Sequence, residues 1–319
     1  MAVPQLDVIV TAATPAGVTV ATLLARQGHR VRLYDAGTFE PPPVTDWVPA
    51  TRDGVMAELG LLDQLGPAIE VSGFGPAHAI RRGPFDRLLL ENARKHGVEV
   101  FVGVHVLDVL FEEDRAIGVS IIDTDCGADE VMARVVIDAI GPKPVLAKSQ
   151  RILQEWNLGG QHAFWAYFSG VKSNAWPDAM GITQLPDHQT CAVLRSDPAT
   201  FGVAKGDRET FFLAAMTHVR PFLESLKDAT PVSEGNTSRG IDWRLSRHAG
   251  HGWMALWGAH GAYEPLVLPG IGRGLFAGSK AAQLVHAALK SGDVSAAVLA
   301  FDQAAHAITL FDALERGCA

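Results

Sequence analysis

Cysteines are few in this 319-residue sequence, and long hydrophobic runs are absent. Cys126, Cys191 and Cys318 have no CxxC spacing and an odd count, and no histidine lies at zinc-ligand spacing from them. No apolar stretch reaches the roughly 20 residues that a helix needs to span a bilayer, and no secretory signal pattern precedes Asp7. We therefore expect a cytoplasmic protein with reduced thiols, no metal site and no membrane insertion.

Positive charge is also scarce. The formal net charge is −8, from 27 Lys and Arg against 35 Asp and Glu, which argues against a nucleic-acid partner or an anionic membrane surface. The G-x-S-x-G elbow of serine hydrolases and the P-loop of phosphoryl-transfer enzymes are both missing. Neither of these two chemistries is therefore indicated.

The segment from residue 7 to residue 37 has the pattern of a dinucleotide-binding strand–turn–helix–strand unit. A short apolar run at 6–11 precedes a helix-spaced run at 15–27 that stops at Gly28, and a second apolar run at 31–34 ends at Asp35. Such a unit normally carries glycines in its turn, but the turn here reads Ala-Ala-Thr. The pattern predicts a βαβ unit and leaves open whether it holds a dinucleotide.

The remaining chain changes character near residue 160. Alternating helix and strand patterns precede it, whereas aromatic, strand-like segments such as HAFWAYFSGV follow it. Helical patterns cover 50–65, 84–96, 208–227, 274–290 and 294–315, and a hairpin turns at Glu113-Asp114. We predict an α/β protein with a Rossmann-like domain formed by 1–160 and 245–319, interrupted by a β-rich substrate domain at 161–244.

Five segments in this order resemble the FAD-dependent monooxygenases and flavin-dependent halogenases. They are DVIVTAATPAG…GHRVRLYDAG at 7–37, FDRLLLENARKHGVEV at 85–100, VVIDAIG at 135–141, FWAYFSGV at 164–171 and GHGWMALWGAHGAYEPLVLPGIGRG at 250–274. The resemblance implies a three-layer FAD/NAD(P)-binding Rossmann-like domain with an interleaved β-rich substrate domain. It is evidence for fold more than for activity.

On this resemblance, the three glycine positions of the first flavin motif are Ala12, Thr14 and Gly17. The first two glycines make the tight turn and admit the pyrophosphate, and the third allows close helix–strand packing. Thr14 is β-branched, so we expect it to resist unusual backbone angles and to occupy space that a phosphate needs. Asp35 sits where the family places an acidic residue on the adenosine ribose, although a polar residue ending a strand is an equal interpretation.

The second flavin motif has changed further. Trp257-Gly258 replaces the family's Gly-Asp pair, whereas Gly270 and Gly272 persist in the loop expected to face the flavin ring. We therefore predict a flavoprotein scaffold that binds no cofactor, with FAD binding as the alternative. The residues of the vestigial cofactor site are Ala12, Thr14, Gly17, Asp35, Gly270 and Gly272.

A cleft without its flavin favours a redox-neutral enzyme. Our main hypothesis is cyclisation, cycloaddition or rearrangement of a polyketide-like intermediate held in one conformation. The first alternative is an FAD-dependent monooxygenase or oxidoreductase acting on an aromatic or polyketide substrate. The second is a non-catalytic pseudoenzyme that binds a partner. Halogenation is not expected, because the halogenase W-x-W-x-I-P segment and active-site lysine are missing.

Candidate site residues follow from the two motifs and from the aromatic strand. The candidate catalytic residues are His260, Glu264, Asp46 and Arg273, and the candidate substrate-binding residues are Trp47, Trp165, Tyr167, Trp257 and Tyr263. Each has a plainer alternative: a loop histidine or surface carboxylate, a helix cap, a solvated arginine, or aromatic core packing. The expected partner is a small hydrophobic substrate, and a homodimer is one option for the assembly.

Overall fold

The structure is a computed structural model, and part of the chain is described. The described residues are 6–37, 45–66, 68–71, 75–123, 127–141, 145–155, 162–171, 180–184, 189–196, 226, 228–233, 236–239, 243–256, 270–292 and 301–302. The α-helices are α1 (Pro15–Arg26), α2 (Asp53–Leu59), α3 (Arg82–Lys95), α4 (Val145–Ser149) and α5 (Gly270–Ser291). Single turns of 3₁₀-helix lie at Ala50–Arg52 and Leu62–Gln64.

The strands of the first half of the described chain are β1 (Leu6–Thr11), β2 (Val31–Asp35), β3 (Thr45–Pro49), β4 (Ile69–Val71), β5 (Gly75–Arg81), β6 (Glu99–Val102), β7 (Val104–Glu112), β8 (Arg115–Asp123) and β9 (Gly127–Asp138). Those of the second half are β10 (Leu153–Glu155), β11 (His162–Ser169), β12 (Met180–Gln184), β13 (Thr190–Ser196), β14 (Thr230–Pro231), β15 (Asn236–Arg239), β16 (Trp243–Leu245), β17 (Ala249–Gly250) and β18 (Trp253–Ala255).

An eight-stranded sheet forms the centre of the described structure. Its main path runs β17-β18-β9-β1-β2-β6, and β7 and β8 extend it as an antiparallel layer from β9. Neighbouring strands from β18 to β6 are parallel, with Val10 of β1 opposite Leu33 of β2 and Ile137 of β9. Taken in chain order, the parallel strands lie as 3-2-1-4-5, the doubly wound arrangement of dinucleotide-binding folds. The predicted α/β fold is confirmed.

Strand β1 is apolar on both faces because both faces are covered. Val8 and Val10 pack into a core that includes side chains of α1, α2, α3 and α5. Ile9 points the other way, into a second core shared with the antiparallel layer and α4. Buried parallel strands therefore read as continuous hydrophobic runs, as LDVIVT does. Helices, parallel sheet and antiparallel sheet make up the three layers.

Three further sheets lie outside this core. Strands β11 to β15 form one sheet, in which β11 pairs with β13, β14 and β15. Strands β3, β5 and β4 form a small antiparallel sheet, and β10 pairs with β16. The predicted division into a discontinuous domain and a substrate domain at 161–244 remains a prediction.

Two predicted helices have different bounds in the structure. The pattern at 50–65 is broken into a 3₁₀ turn, α2 and a second 3₁₀ turn, because Gly60 adopts a left-handed conformation that ends α2. Helix α5 begins at Gly270, four residues before its predicted start. The predicted helices at 208–227 and 294–315 lie almost wholly outside the described residues. Within the described part of the chain, no helix has the length and hydrophobicity needed to cross a membrane.

Candidate functional site

The candidate site lies where β1, β2 and β9 end and α1 begins. In an open α/β sheet, ligands bind outside the carboxyl ends of the strands, at the point where the strand order reverses. Here that point lies between β1 and β9, since the chain places β2 and β6 on one side of β1 and β9 and β18 on the other. The first flavin motif occupies this position.

The turn between β1 and α1 adopts its unusual backbone angle at Ala12. Ala12 has a φ of 71°, in the left-handed region that glycine enters most readily. Its amide donates to the carbonyl of Tyr34 over 2.6 Å, which fixes the turn against β2. The alanine therefore adopts a conformation that favours glycine, at some cost in strain.

Thr14 has an ordinary extended backbone and caps α1. Its φ and ψ are −68° and 161°, an ordinary extended conformation that a β-branched residue adopts without strain. Its hydroxyl accepts from the amide of Gly17 at 3.2 Å and donates to the carbonyl of Ala139 at 3.1 Å. The side chain thus ties α1 to the end of β9. The amide of Thr14 itself has no hydrogen-bond partner among the described residues, so one donor at this helix N-terminus is available.

Gly17 allows α1 to pack against the turn and β9. A Cβ at this position would lie 2.3 Å from the carbonyl oxygen of Ala12 and 3.0 Å from the Cβ of Ala139. Backbone atoms cannot move aside at that distance. Any larger residue would therefore displace α1, together with the N-terminus that faces the site.

Asp35 ends β2 beside the turn. Its Oδ2 accepts from the amide of Ala13 at 2.6 Å, and its Oδ1 accepts from the amide of Gly37 at 2.9 Å. The carboxylate is half-buried, and these two bonds leave lone pairs on both oxygens. Asp35 is therefore a structural residue of the turn that retains acceptor capacity on both carboxylate oxygens.

Helix α5 runs beside α1 in the same direction and brings its own N-terminus to this edge. A Cβ on Gly274 would lie 3.1 Å from the amide nitrogen of Ala16, and one on Gly278 would lie 2.6 Å from its carbonyl oxygen. Glycine at both positions lets the two backbones touch. Gly270 and Gly272, expected in a loop, instead form the buried first turn of α5.

A buried carboxyl group supports the site from behind. Asp138 ends β9 and is fully buried; it accepts from the amides of Leu146 and Ile140 and from the hydroxyl of Thr11. Burial raises the pKa of Asp138, and these hydrogen bonds act in the opposite direction. The group joins the ends of β1 and β9 to α4, so its role is structural.

The predicted catalytic and substrate-binding residues fall into four groups, of which the first is Arg273, half-buried near the start of α5. Trp165 and Tyr167 are buried on β11, and the guanidinium of Arg81 lies 5.2 Å from the Tyr167 ring centre while donating to Gln189 at 2.6 Å. Asp46 and Trp47 lie on β3, opposite Ile80 and Ala79 of β5, and their side chains are outside the described structure. Four further candidates, Trp257, His260, Tyr263 and Glu264, lie outside the described residues.

Arg81 was missed at the level of sequence. It ends β5 and connects the small sheet to Tyr167 of β11 and to Gln189, the residue before β13. Nothing in the local pattern marks it, because the adjacent Arg82 carries the visible signal, an i,i+4 pair with Asp86 at 2.8 Å. Burial raises the pKa of Asp86, while the charge of Arg82 opposes that shift.

Comparison with known proteins finds halogenating enzymes among the proteins with similar sequences. The chain is 20% identical over 324 residues to a 1H-pyrrole-2-carbonyl-[peptidyl-carrier protein] brominase of Pseudoalteromonas luteoviolacea, covering 90% of this chain and 79% of that enzyme. It is 27% identical over 225 residues to the corresponding chlorinase of Pseudomonas fluorescens, covering 57% of this chain and 48% of that enzyme. No model of a known protein family matches the chain.

Comparison with solved structures also finds halogenases and monooxygenases. The myxobacterial chondrochloren halogenase CndH, a variant of FAD-dependent halogenases, has a TM-score of 0.81 at 22% identity, covering 95% of this chain and 79% of that one. A p-nitrophenol 4-monooxygenase of Pseudomonas putida has a TM-score of 0.78 at 13% identity, covering 96% and 86%. The chain is similar to flavin-dependent halogenases in sequence and in fold. The resemblance to the halogenases and FAD-dependent monooxygenases is confirmed.

The prediction that the chain binds no cofactor is wrong. Its relatives are FAD-dependent enzymes, and the described half of the dinucleotide site fits such a group. Thr14 turns its hydroxyl onto Gly17 and Ala139, Ala12 keeps the glycine-like turn, and Asp35 keeps free lone pairs. The steric argument placed the Thr14 side chain in the space of a phosphate, whereas that side chain caps α1.

Proposed function

We propose that this protein is an FAD-dependent tailoring oxidoreductase of the monooxygenase type, acting on an aromatic or polyketide-like substrate. One arrangement carries the proposal. Asp35, the N-terminus of α1 and the N-terminus of α5 converge where the strand order of a 3-2-1-4-5 sheet reverses. A carboxylate beside two helix N-termini matches the ribose and phosphates of a dinucleotide.

The residues of this arrangement have distinct roles in the proposal. The lone pairs of Asp35 accept from ribose hydroxyls, and the amide of Thr14, with the positive end of the α1 dipole, stabilises a phosphate. Gly17, Gly274 and Gly278 keep the two helices close enough to present both N-termini together. Bound FAD would supply the redox chemistry, activation of dioxygen by the reduced flavin.

Substrate contacts in the proposal involve the sheet of β11 to β15. The buried rings of Trp165 and Tyr167 lie on one face of β11, since alternate residues of a strand share a face. Arg81 keeps its guanidinium over Tyr167 and hydrogen-bonded to Gln189, so it holds that ring in place. Apolar walls with few polar groups are typical of pockets for aromatic substrates.

Halogenation is the second candidate, because two curated relatives are a brominase and a chlorinase of a carrier-bound pyrrole. The missing lysine and W-x-W-x-I-P segment favour monooxygenation. The redox-neutral cyclisation expected from the sequence, and a pseudoenzyme role, both remain predictions. The protein with reduced flavin is incubated with an aromatic substrate and dioxygen, with and without bromide, and the product mass is measured. A product heavier by one oxygen atom indicates monooxygenation, whereas a brominated product formed only with bromide indicates halogenation.

Flavin binding is the first experiment. FAD titrated into the apoprotein should quench its fluorescence, and Asp35→Ala should weaken binding about tenfold or more, since a charge-assisted hydrogen bond contributes about 1.5–3 kcal/mol. Asp7→Ala is the matched control. Asp7 also accepts a hydrogen bond from a backbone amide, that of Arg30, but it lies near the amino end of β1, at the opposite end of the strand from the candidate site. Wild-type protein that fails to bind FAD would refute the proposal.

A further inference from the structure

A pair of histidines joins two helices at the end of the sheet opposite the candidate site. His29 lies in the turn between α1 and β2, and its Nε2 lies 2.8 Å from the Nδ1 of His286 on α5. The rings meet edge to face, with an interplanar angle of 72° and centroids 5.0 Å apart. A nitrogen–nitrogen distance of this length is that of a hydrogen bond, so one ring donates and the other accepts.

Local structure fixes the position of His29. Gly28 has a φ of 88°, and the amide of His29 donates to the carbonyl of Leu24 at 3.1 Å. This left-handed glycine with its long-reaching amide is a common way to end a helix, and it holds the next residue beside the last turn of α1. His29 and His286 are both half-buried, so their contact is partly shielded from water.

The surroundings of the pair disfavour a positive charge. Burial is the largest cause of a lowered pKa at His29, and the nearby charge of Asp7 opposes that shift. Asp7 is already engaged, since it pairs with Arg134 at 3.2 Å and accepts from the amide of Arg30 at 3.0 Å. The other charged groups that act on His29 in the described structure lower its pKa further, namely His286 and Lys290 of α5 and Arg134 of β9.

The hydrogen bond between the rings tolerates one added proton and not two. In the neutral pair, a single hydrogen lies between the two facing nitrogens, and a first added proton goes to the outer nitrogen of the donor ring. A second added proton places a hydrogen on both facing nitrogens. The bond is then lost, and two imidazolium ions repel one another beside Arg134 and Lys290.

We propose that His29 and His286 form a pH-sensitive contact that holds the C-terminal half of α5 against the end of α1 and opens when acid adds the second proton. The N-terminal half of α5 is held separately, by the close backbone approach at Gly274 and Gly278. Acid therefore loosens one end of the helix pair and leaves the other packed. This inference goes beyond the proposed function and does not depend on it, because the contact exists without a ligand.

The sign of the pH dependence follows from the same count. In the unfolded chain both histidines take up protons near their ordinary pKa of 6.5, whereas the folded contact resists the second proton. Its contribution to the free energy of unfolding is therefore present above that pH and is lost as the pH falls.

A double-mutant cycle tests the contact. Urea unfolding of the full chain is measured for the wild type, His29→Ala, His286→Ala and the double variant, at about pH 8 and about pH 5, on either side of the ordinary histidine pKa. A chelator in the buffer excludes a metal ion that bridges the rings. The coupling should be about two- to tenfold in the unfolding equilibrium constant at the higher pH, the range of a neutral hydrogen bond. At the lower pH it should vanish or reverse sign.

A conservative variant separates titration from packing. His29→Gln combined with His286→Asn places side-chain amides near the positions of the two facing nitrogens and can form a hydrogen bond that does not titrate. Its stability should change less between the two pH values than that of the wild type.

The control cycle combines His286→Ala with His96→Ala. His96 is a half-buried histidine at the end of α3, and its Nδ1 bonds to the carbonyl of Asn92 instead of a second ring. This cycle should show no coupling at either pH. The proposal is overturned by equal coupling of His29 and His286 at both pH values, by no coupling at the higher pH, or by an amide variant that loses as much stability in acid as the wild type.

Discussion

Replacing Ala12 by glycine and replacing Thr14 by glycine should change the stability of this protein in opposite directions. Both residues occupy glycine positions of the first flavin motif, so the sequence alone treats them as equivalent. In the structure, Ala12 has a φ of 71°, whereas Thr14 has an extended backbone and caps α1. The two substitutions therefore remove different things: strain in one case and hydrogen bonds in the other.

The expected magnitudes follow from these geometries. A left-handed conformation costs an L-residue about 1–2 kcal/mol, and the added freedom of glycine in the unfolded chain offsets about 0.5–1 kcal/mol of the relief. Ala12→Gly should therefore raise the free energy of unfolding by about 0.5–1 kcal/mol. Thr14→Gly loses the bonds to Gly17 and Ala139, and should lower it by about 1–2 kcal/mol.

Urea unfolding followed by far-UV circular dichroism measures both changes. Glu113→Gly is the matched control, since Glu113 has a φ of 55° in the β7–β8 turn, away from the candidate site. It should gain stability as Ala12→Gly does, with no change in FAD affinity. Equal stabilisation by Ala12→Gly and Thr14→Gly would show that Thr14 is also strained and would refute the reasoning.

Two further predictions concern the helix pair. Gly278→Ala should destabilise the protein by about 1–3 kcal/mol and weaken FAD binding, because the new methyl would lie 2.6 Å from the carbonyl oxygen of Ala16; thermal unfolding and FAD titration measure this. The control is Gly54→Ala, at a helical position where a methyl group meets open space, and it should raise the free energy of unfolding by up to about 1 kcal/mol. Equal losses of stability in the two variants would contradict the packing argument. Burial lowers the pKa of His29 below its ordinary 6.5, because it disfavours the charged imidazole in the folded protein. The free energy of unfolding that depends on neutral His29 is therefore fully present above pH 6.5 and is lost as the pH falls through the folded-state pKa. Urea unfolding at a series of pH values should show a shallower loss for His29→Gln than for the wild type, and identical slopes would count against it. The charged groups near His29 are His286, Asp7, Arg134 and Lys290.

Local patterns predicted the elements around the candidate site well. The continuous apolar run of β1, the helical spacing up to Gly28 and the turn at Glu113-Asp114 each depend on residues close in sequence. Gly17 could be assigned a packing role for the same reason, since the β1–α1 unit is local. Boundaries were less accurate, as at α5, whose first turn contains glycines that a sequence pattern assigns to a loop.

The prediction that no cofactor binds failed because local sequence patterns do not reveal backbone conformation. It took the loss of two motif glycines as loss of the ligand, because a sequence gives residue types and not backbone angles. The conformation at Ala12 depends on the hydrogen bond from its amide to Tyr34 on a neighbouring strand, and the orientation of Thr14 depends on Ala139 at the end of β9. Both contacts join segments that are distant in the chain.

The sequence by itself therefore determined the α/β class, the βαβ unit and the residue types available at its turn, since periodicity and local sterics act over a few residues. Only the tertiary structure decided which substituted glycine is strained, that α5 lies against α1, and that Arg81 contacts Tyr167 and Gln189. Those outcomes depend on packing and charge between remote segments, and no local pattern specifies which side chains will meet.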